Sequence, residues 1–255
     1  MKHNEFRKEM NFRDMGGYRN REGRILKEGI FFRSGGPYQF TEQEMAALKR
    51  LNIRFVMDFR TRKEWDEKPD PVFEDALVVR HSGLESEGGR EIDFSPEGMR
   101  QIGAEGRSQL AKLRRYYQLI PFSNEAMKVF FKAIREDNVP MLFHCASGKD
   151  RTGVAAILLM ALLGYDEDTI IQDYLLSNQY YSDMIADAFN NSSTDFEKNP
   201  EARTLLQMLY GVSEEIGRAV YHNVLDRYGS FENYFLAEHE LTLEDIADIR
   251  NRYLL

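Results

Sequence analysis

Residues 141–163 decide the fold, and they read MLFHCASGKDRTGVAAILLMALL. A short apolar run at 141–143 precedes a loop of small and polar residues, and the stretch 153–163 is apolar nearly all round. The pattern predicts a buried strand, a tight turn and a buried helix that ends at Gly164, a typical C-cap residue. Such a strand–turn–helix unit is typical of α/β proteins.

The flanking segments extend this unit into alternating strands and helices. The predicted elements are helices at 41–51 and 124–135, and strands at 54–60, 76–79 and 139–143. Thr41 and Glu44 match a capping box at the first helix. From about residue 166 onward the pattern is helical, and it ends with a helix at 242–253. We therefore expect an α/β fold with a mainly parallel central sheet flanked by helices.

Length and composition favour one domain over residues 1–255, because 42% hydrophobic residues can build one sizeable core. Residues 84–120 begin with a stretch rich in glycine and glutamate, so we expect a helical lid insertion there. The net charge of −8 argues against nucleic-acid partners and anionic membranes. Without a signal core or a long apolar run, we expect a cytoplasmic protein with no stable membrane anchor; export without a cleaved signal is compatible with this. The oligomeric state has no signal in the sequence.

The chain has a single cysteine, Cys145. One cysteine excludes a disulfide within the chain and any zinc or iron–sulfur site that needs several cysteines. A single cysteine also argues against an enzyme with a thiol redox cycle, because such a cycle usually needs a second, resolving cysteine. Cys145 is therefore either a small buried residue or a reactive thiol.

The neighbours of Cys145 favour the reactive thiol. Arg151 follows five intervening residues later, where the loop enters the buried helix. Backbone N–H groups in such a turn and the helix N-terminus converge on an anion, and Arg151 is spaced to grip two phosphate oxygens. The predicted phosphate-binding residues are Ala146, Ser147, Gly148, Lys149, Asp150 and Arg151.

We expect the same positive field to favour the thiolate of Cys145, a nucleophile that can attack phosphorus without metal or cofactor. Thr152 is positioned to ease departure of the sulfur, and His144 to orient the loop. A nucleotide-binding Walker loop is excluded, because it requires glycine at position 143 and serine or threonine at position 150. The chain has Phe143 and Asp150 at these positions.

With its neighbours, the loop resembles the atypical bacterial protein-tyrosine phosphatases, whose signature is His-Cys-x-x-Gly-Lys-Asp-Arg-Thr-Gly. Further blocks resemble this family in the family order: 11–18 (NFRDMGGY), 32–34 (FRS), 58–61 (DFRT) and 173–178 (DYLLSN). The resemblance implies the cysteine-phosphatase fold and a phosphotyrosine protein, phosphoserine/threonine or phosphoinositide substrate. The alternative is a catalytically weak module that only binds phosphate.

The general acid is not decided by the motif. The Trp-Pro-Asp acid loop of better-known tyrosine phosphatases is not reproduced at the usual distance before Cys145. Asp150 in the loop and Asp58 at a strand end are the candidates. Each has a structural alternative, as an ion-pair partner for Asp150 and as a turn or cap carboxylate for Asp58.

The basic residues in and near the loop do not decide between a protein and a phosphoinositide substrate. Lys149 matches the lysine of phosphoinositide phosphatases, or it is a solvated loop residue. The arginines Arg13, Arg33, Arg60 and Arg62 add positive charge or form structural ion pairs, and we assign none of them to catalysis.

Overall fold

The computed structural model describes residues 5–83 and 107–255, apart from the side chains of residues 107–109 and 112. Its five strands are β1 (Arg13–Asp14), β2 (Phe31–Ser34), β3 (Phe55–Asp58), β4 (Leu77–Arg80) and β5 (Met141–His144). They form one sheet in the order β1-β2-β5-β3-β4, in which β2, β5, β3 and β4 are parallel and β1 is antiparallel to β2. The predicted α/β fold with a mainly parallel sheet is confirmed, although β1 and β2 were not among the predicted strands.

The helices of the described residues follow in chain order. They are α1 (Glu42–Arg50), α2 (Arg62–Glu67), α3 (Arg107–Leu119), α4 (Glu125–Arg135), α5 (Arg151–Leu162), α6 (Glu167–Tyr180), α7 (Ser182–Asn190), α8 (Pro200–Tyr210), α9 (Glu214–Tyr228), α10 (Phe231–His239) and α11 (Leu243–Tyr253). Of the expected lid insertion at about 84–120, residues 84–106 lie outside the described part of the chain, and most of the rest forms α3.

The central strands are buried on both faces. In β5, Met141 and Phe143 belong to the larger apolar cluster, whereas Leu142 points into a second cluster with Leu48 and Ile53. This alternation follows from the two-residue period of a strand, and it explains why parallel strands are apolar at successive positions. Every residue of α5 is buried, as the apolar sequence of that helix predicts.

The predicted helix boundaries are confirmed where capping residues are present. Thr41 and Glu44 form the capping box of α1, and Asn124 caps α4. After α5, Gly164 adopts a φ of 81°, which costs a glycine little. Among the helices of the described residues, none combines the length and the apolar character that a membrane crossing requires.

Candidate active site

The sheet places Cys145 at the centre of its carboxyl edge. Cys145 directly follows β5, which lies between the parallel strands β2 and β3. The thiol is free, and the residue is fully buried. In α/β folds, sites form where parallel strands end, so the predicted nucleophile lies where the fold builds its functional loops.

Residues outside the loop donate hydrogen bonds to its backbone carbonyl groups. The backbone N–H of Gly36 and the side chain of Gln39 donate to the Ala146 oxygen, at 3.0 and 3.1 Å. Tyr181 Oη donates to the Ser147 oxygen at 2.7 Å, and Asn11 Nδ2 donates to the same oxygen at 3.2 Å. Arg33 Nη2 donates to the Gly148 oxygen at 3.0 Å.

These bonds orient the N–H groups of the loop. In a trans peptide the C=O of one residue and the N–H of the next point in opposite directions. Because the carbonyls of residues 146–148 face outward, the N–H groups of residues 147–149 face the other way. Within the described residues, no acceptor is bonded to the backbone N–H of any residue from 146 to 150. Converging N–H groups of this kind form an anion-binding nest.

Gly148 is required by this conformation. Its φ is 70°, and a Cβ at this position would lie 2.3 Å from the backbone oxygen of Ser34. A side chain would therefore force the loop away from β2, in addition to the cost of the left-handed backbone.

Arg151 is held by Glu64. Arg151 Nη1 and Nη2 donate to the two carboxylate oxygens of Glu64 at 2.7 and 2.9 Å, and Nη1 also donates to the Phe59 oxygen at 3.2 Å. Burial alone would lower the pKa of Arg151, but Glu64 outweighs it and raises the pKa above its ordinary value. The guanidinium therefore stays charged although it is buried.

The remaining donors of Arg151 form a fork. Both Nη1 protons and one Nη2 proton are used by Glu64 and Phe59, and Nε has no hydrogen-bond partner in the described residues. Since a guanidinium carries five N–H donors, Nε and the second Nη2 proton remain on one edge. An edge with two parallel donors is the geometry that binds a phosphate bidentately.

Asp150 and Lys149 are buried beside α3 and α8. Tyr117 Oη donates a short hydrogen bond to Asp150 Oδ1, and Lys149 Nζ donates to the same oxygen at 3.1 Å. Lys149 Nζ also donates to the backbone oxygens of Met208 and Gly211, at 2.8 and 3.0 Å. The three ammonium donors therefore have partners in the protein, so Lys149 is not a solvated loop residue.

Asp58 lies in a different ion-pair cluster, with Arg60, Asp70 and His144. Arg60 donates to both Asp58 oxygens, at 2.9 Å from Nε and 2.7 Å from Nη2, and it also donates a short bond to Asp70. Burial would raise the pKa of Asp58, but His144 and Arg60 outweigh it and hold the pKa below its ordinary value.

The same cluster contains metal-type ligands. Ligand atoms of Asp58, Asp70 and His144 all lie within 4.8 Å of one another. Arg60 Nη2 already bridges the two carboxylates, so one guanidinium occupies the position between them and offsets part of their negative charge. His144 Nδ1 lies 3.3 Å from the Cys145 oxygen, which fits the loop-orienting role expected from the sequence.

A second ion-pair cluster supports the loop from the other side. The Asp173 carboxylate accepts hydrogen bonds from Arg13 and Arg33, at 3.1 and 2.7 Å, and all three residues are buried. Arg33 in turn holds the Gly148 oxygen. Arg13, Arg33 and Arg60 thus form structural ion pairs, and Arg62 forms an exposed one with Asp66 at 3.8 Å.

Thr152 is fully buried at the start of α5, and its hydroxyl has no hydrogen-bond partner among the described residues. The residues that contact the loop but were missed from the sequence include Glu64, Tyr117 and Tyr181. Thr61 and Glu64 form a capping box at α2, and this short motif was the available signal for Glu64. No local pattern points to the two tyrosines, because their contacts arise only in the folded chain.

Comparison with known proteins shows the family to which the chain belongs. A model of the tyrosine phosphatase family matches residues 5–255. A Cupriavidus necator protein that carries a tyrosine-protein phosphatase name is 29% identical over 248 residues, which are 96% of this chain and 85% of that protein. The triple specificity protein phosphatase PtpB of Mycobacterium tuberculosis is 27% identical over 257 residues, which are 88% of this chain and 89% of that protein.

Among solved structures, a crystal structure of P. aeruginosa TpbA in complex with phosphotyrosine has a TM-score of 0.31 and 14% identity, covering 81% of this chain and 95% of that chain. The family model, by contrast, spans nearly the entire sequence. The resemblance seen in the sequence is confirmed: the chain belongs to the tyrosine phosphatase family and is an enzyme of that class.

Proposed function

We propose that this enzyme hydrolyses phosphotyrosine in proteins through a cysteinyl-phosphate intermediate on Cys145. The observation that carries the proposal is the arrangement of the loop around this thiol. Its carbonyls are bonded outward, its N–H groups face the other way, and Arg151 is anchored by Glu64 with one donor edge left over. This arrangement suits three equatorial phosphate oxygens above a thiolate.

In the first step the Cys145 thiolate attacks phosphorus in line with the ester bond. The S–P bond forms as the bond from phosphorus to the tyrosyl oxygen breaks, and the phenolate takes a proton from a carboxylic acid. The loop N–H groups and Arg151 stabilise the charge on the equatorial oxygens. In the second step water attacks phosphorus, its proton passes to the carboxylate, and the Cys145 thiolate leaves. We infer that the Thr152 hydroxyl, which has no partner among the described residues, turns to donate to that sulfur as it leaves.

Asp150 is the acid in this mechanism. It belongs to the loop itself, one residue before Arg151, and its carboxylate is oriented by Tyr117 and Lys149. Asp58 suits the role less well, because Arg60 bonds to both of its oxygens and its pKa is held low. A carboxyl group with both oxygens bonded to a guanidinium is a poor proton donor, whereas the bonds to Asp150 from Tyr117 and Lys149 both reach Oδ1. Asp58 therefore serves to hold Arg60 and His144.

The engagement of Lys149 favours phosphotyrosine over phosphoinositides. Contact with an additional inositol phosphate would require Lys149 to leave the Met208 and Gly211 oxygens. Hydrolysis of phosphoinositides is therefore expected to be slower than that of phosphotyrosine peptides. A panel of these substrates with the purified protein measures the preference, and a higher kcat/KM for a phosphoinositide would reverse it.

The acid assignment is tested with leaving groups of different basicity. For Asp150→Asn we expect kcat for phenyl phosphate to fall about 100-fold or more, and kcat for p-nitrophenyl phosphate to fall much less, since p-nitrophenolate needs little protonation. Asp58→Asn is the matched control, and it should affect both substrates equally. The assignment is reversed if the leaving-group dependence appears in Asp58→Asn instead.

A further inference from the structure

A surface groove with a volume of about 560 Å³ lies between α3 and α9. Arg114, Arg115 and Leu119 of α3 form one wall, Arg227 of α9 belongs to the other, and Phe122 contributes an apolar surface. Arg115 and Leu119 are each two positions from Tyr117, so they lie on the opposite side of α3 from that tyrosine, which contacts Asp150 in the loop. The groove is therefore separate from the phosphate site.

The groove carries positive charge that acidic side chains of the described residues neutralise only in part. Arg114 forms an ion pair with Glu215, with distances of 2.9 and 3.0 Å to the two carboxylate oxygens. Arg115 and Arg227 are exposed, and neither has an acidic partner within the described residues. Arg115 and Arg227 therefore form a local positive patch on a chain whose net charge is −8.

Phe122 gives Arg227 a defined orientation. The guanidinium carbon of Arg227 lies 4.6 Å from the centre of the Phe122 ring, and Phe122 itself is only 7% exposed. Stacking on a ring satisfies the face of a guanidinium and leaves its N–H donors free at the edge. Planar donors of this kind match a carboxylate. The side chain of Leu119 is 43% exposed and provides an apolar contact beside them.

We propose that this groove, formed by Arg114, Arg115, Leu119, Phe122 and Arg227, binds an acidic peptide segment of a partner protein. Carboxylates of the segment pair with Arg115 and Arg227, and its aliphatic carbons contact Leu119 and Phe122. A peptide fits better than an anionic membrane for two reasons. The site is concave, and the acidic surface of the whole protein repels a flat sheet of negative charge, whereas a single strand can enter the groove.

The test uses a fluorescently labelled hexaglutamate peptide, which has no phosphoryl group and so does not depend on the catalytic loop. We expect saturable binding in fluorescence anisotropy that weakens as salt is added. Arg115→Ala/Arg227→Ala should weaken it at least about tenfold. Lys49→Ala/Arg54→Ala is the matched control. It removes two exposed cations that lie near the start of β3 and do not line the groove, so the affinity should be unchanged.

Hydrolysis of p-nitrophenyl phosphate by both double variants verifies that they are folded and should match the parent protein. The proposal is overturned if hexaglutamate does not bind, or if both double variants lose affinity equally. It is also overturned if vesicles containing phosphatidylserine bind through Arg115 and Arg227 while the peptide does not.

Discussion

At the scale of single residues, the pair of Glu64 and Arg151 links the predicted phosphate grip to the rest of the fold. Arg151 is 2% exposed, and its position depends on a carboxylate from a different helix. The pKa of Glu64 would be raised by burial, but Arg151 outweighs this and lowers it, so both partners are charged. Glu64 thus orients the guanidinium edge that we propose binds the phosphate.

We expect Glu64→Gln to lower kcat for p-nitrophenyl phosphate about 10- to 100-fold, because a misdirected guanidinium loses its transition-state contacts. The unfolding free energy should fall by as much as about 3 kcal/mol, since a buried charge loses its partner. Glu67→Gln, on the same helix but exposed, is the control and should change neither quantity. An unchanged kcat in folded Glu64→Gln would show that Arg151 needs no such support.

The sequence predicted the residues of the loop and the supporting role of His144, but not the contacts of Glu64 and Tyr117. Cys145, Gly148 and Arg151 are recognisable because their spacing lies within one short segment. Glu64 precedes Arg151 by 87 positions, and Tyr117 precedes Asp150 by 33, so their contacts depend on how helices pack against the sheet. Only the capping box at Thr61 marked Glu64 as part of a defined helix start.

At the scale of elements, the catalytic loop is held by strand β2 and by helices that come from distant parts of the chain. Strands β3 and β5 were predictable because they are short apolar runs next to clear helices. Strand β2 was missed because FFRS places an arginine within it, and that arginine is buried only through its pairing with Asp173 on α6. Strand β1 has two residues, too few for any periodicity.

Gly148→Ala tests whether the loop conformation is required for activity. The new Cβ would approach the Ser34 oxygen to 2.3 Å, so we expect kcat for p-nitrophenyl phosphate to fall about 100-fold or more. Gly29→Ala is a matched control: its φ is 77°, and an added Cβ meets nothing within 4 Å. It should lose only about 1 kcal/mol of unfolding free energy from the left-handed backbone and keep its activity. Equal activity losses in both variants would contradict the steric explanation.

At the scale of the whole molecule, buried ionisable groups make stability depend on pH. His239 lies in the core beside Phe131, and its Nε2 is 2.9 Å from Tyr234 Oη. Burial lowers the pKa of His239 to about 3, and nearby Lys128 acts in the same direction. The folded protein thus keeps this ring neutral at pH values where the unfolded chain protonates it.

The sign of the effect follows from linkage. Below a pH of about 6.5, the ordinary pKa of histidine, the unfolded chain binds one more proton at His239 than the folded protein does. The unfolding free energy therefore falls by up to about 1.4 kcal/mol for each unit by which the pH is lowered. Between pH ~6 and ~5 unfolded carboxylates, with pKa values near 4, contribute little. We expect His239→Gln to remove most of this slope in urea titrations. A slope equal to that of the parent protein would mean that other groups are responsible.

At lower pH the ion pairs around the loop are lost. The pKa values of Asp58, Glu64 and Asp173 are each held below the ordinary value, because cationic neighbours outweigh the opposing effect of burial. A carboxylate with a lowered pKa stabilises the fold above its unfolded pKa, and this contribution disappears as the pH falls through the folded value. The support of the catalytic loop and the stability of the fold therefore depend on the same charged groups.

In the proposed mechanism, Cys145 carries the phosphoryl group during turnover. Rapid denaturation of the enzyme during hydrolysis of a phosphotyrosine peptide, followed by mass spectrometry, measures this directly. We predict one added phosphoryl group on the peptide that contains Cys145, and loss of both this adduct and turnover in Cys145→Ser. Sustained hydrolysis by Cys145→Ser would contradict the mechanism.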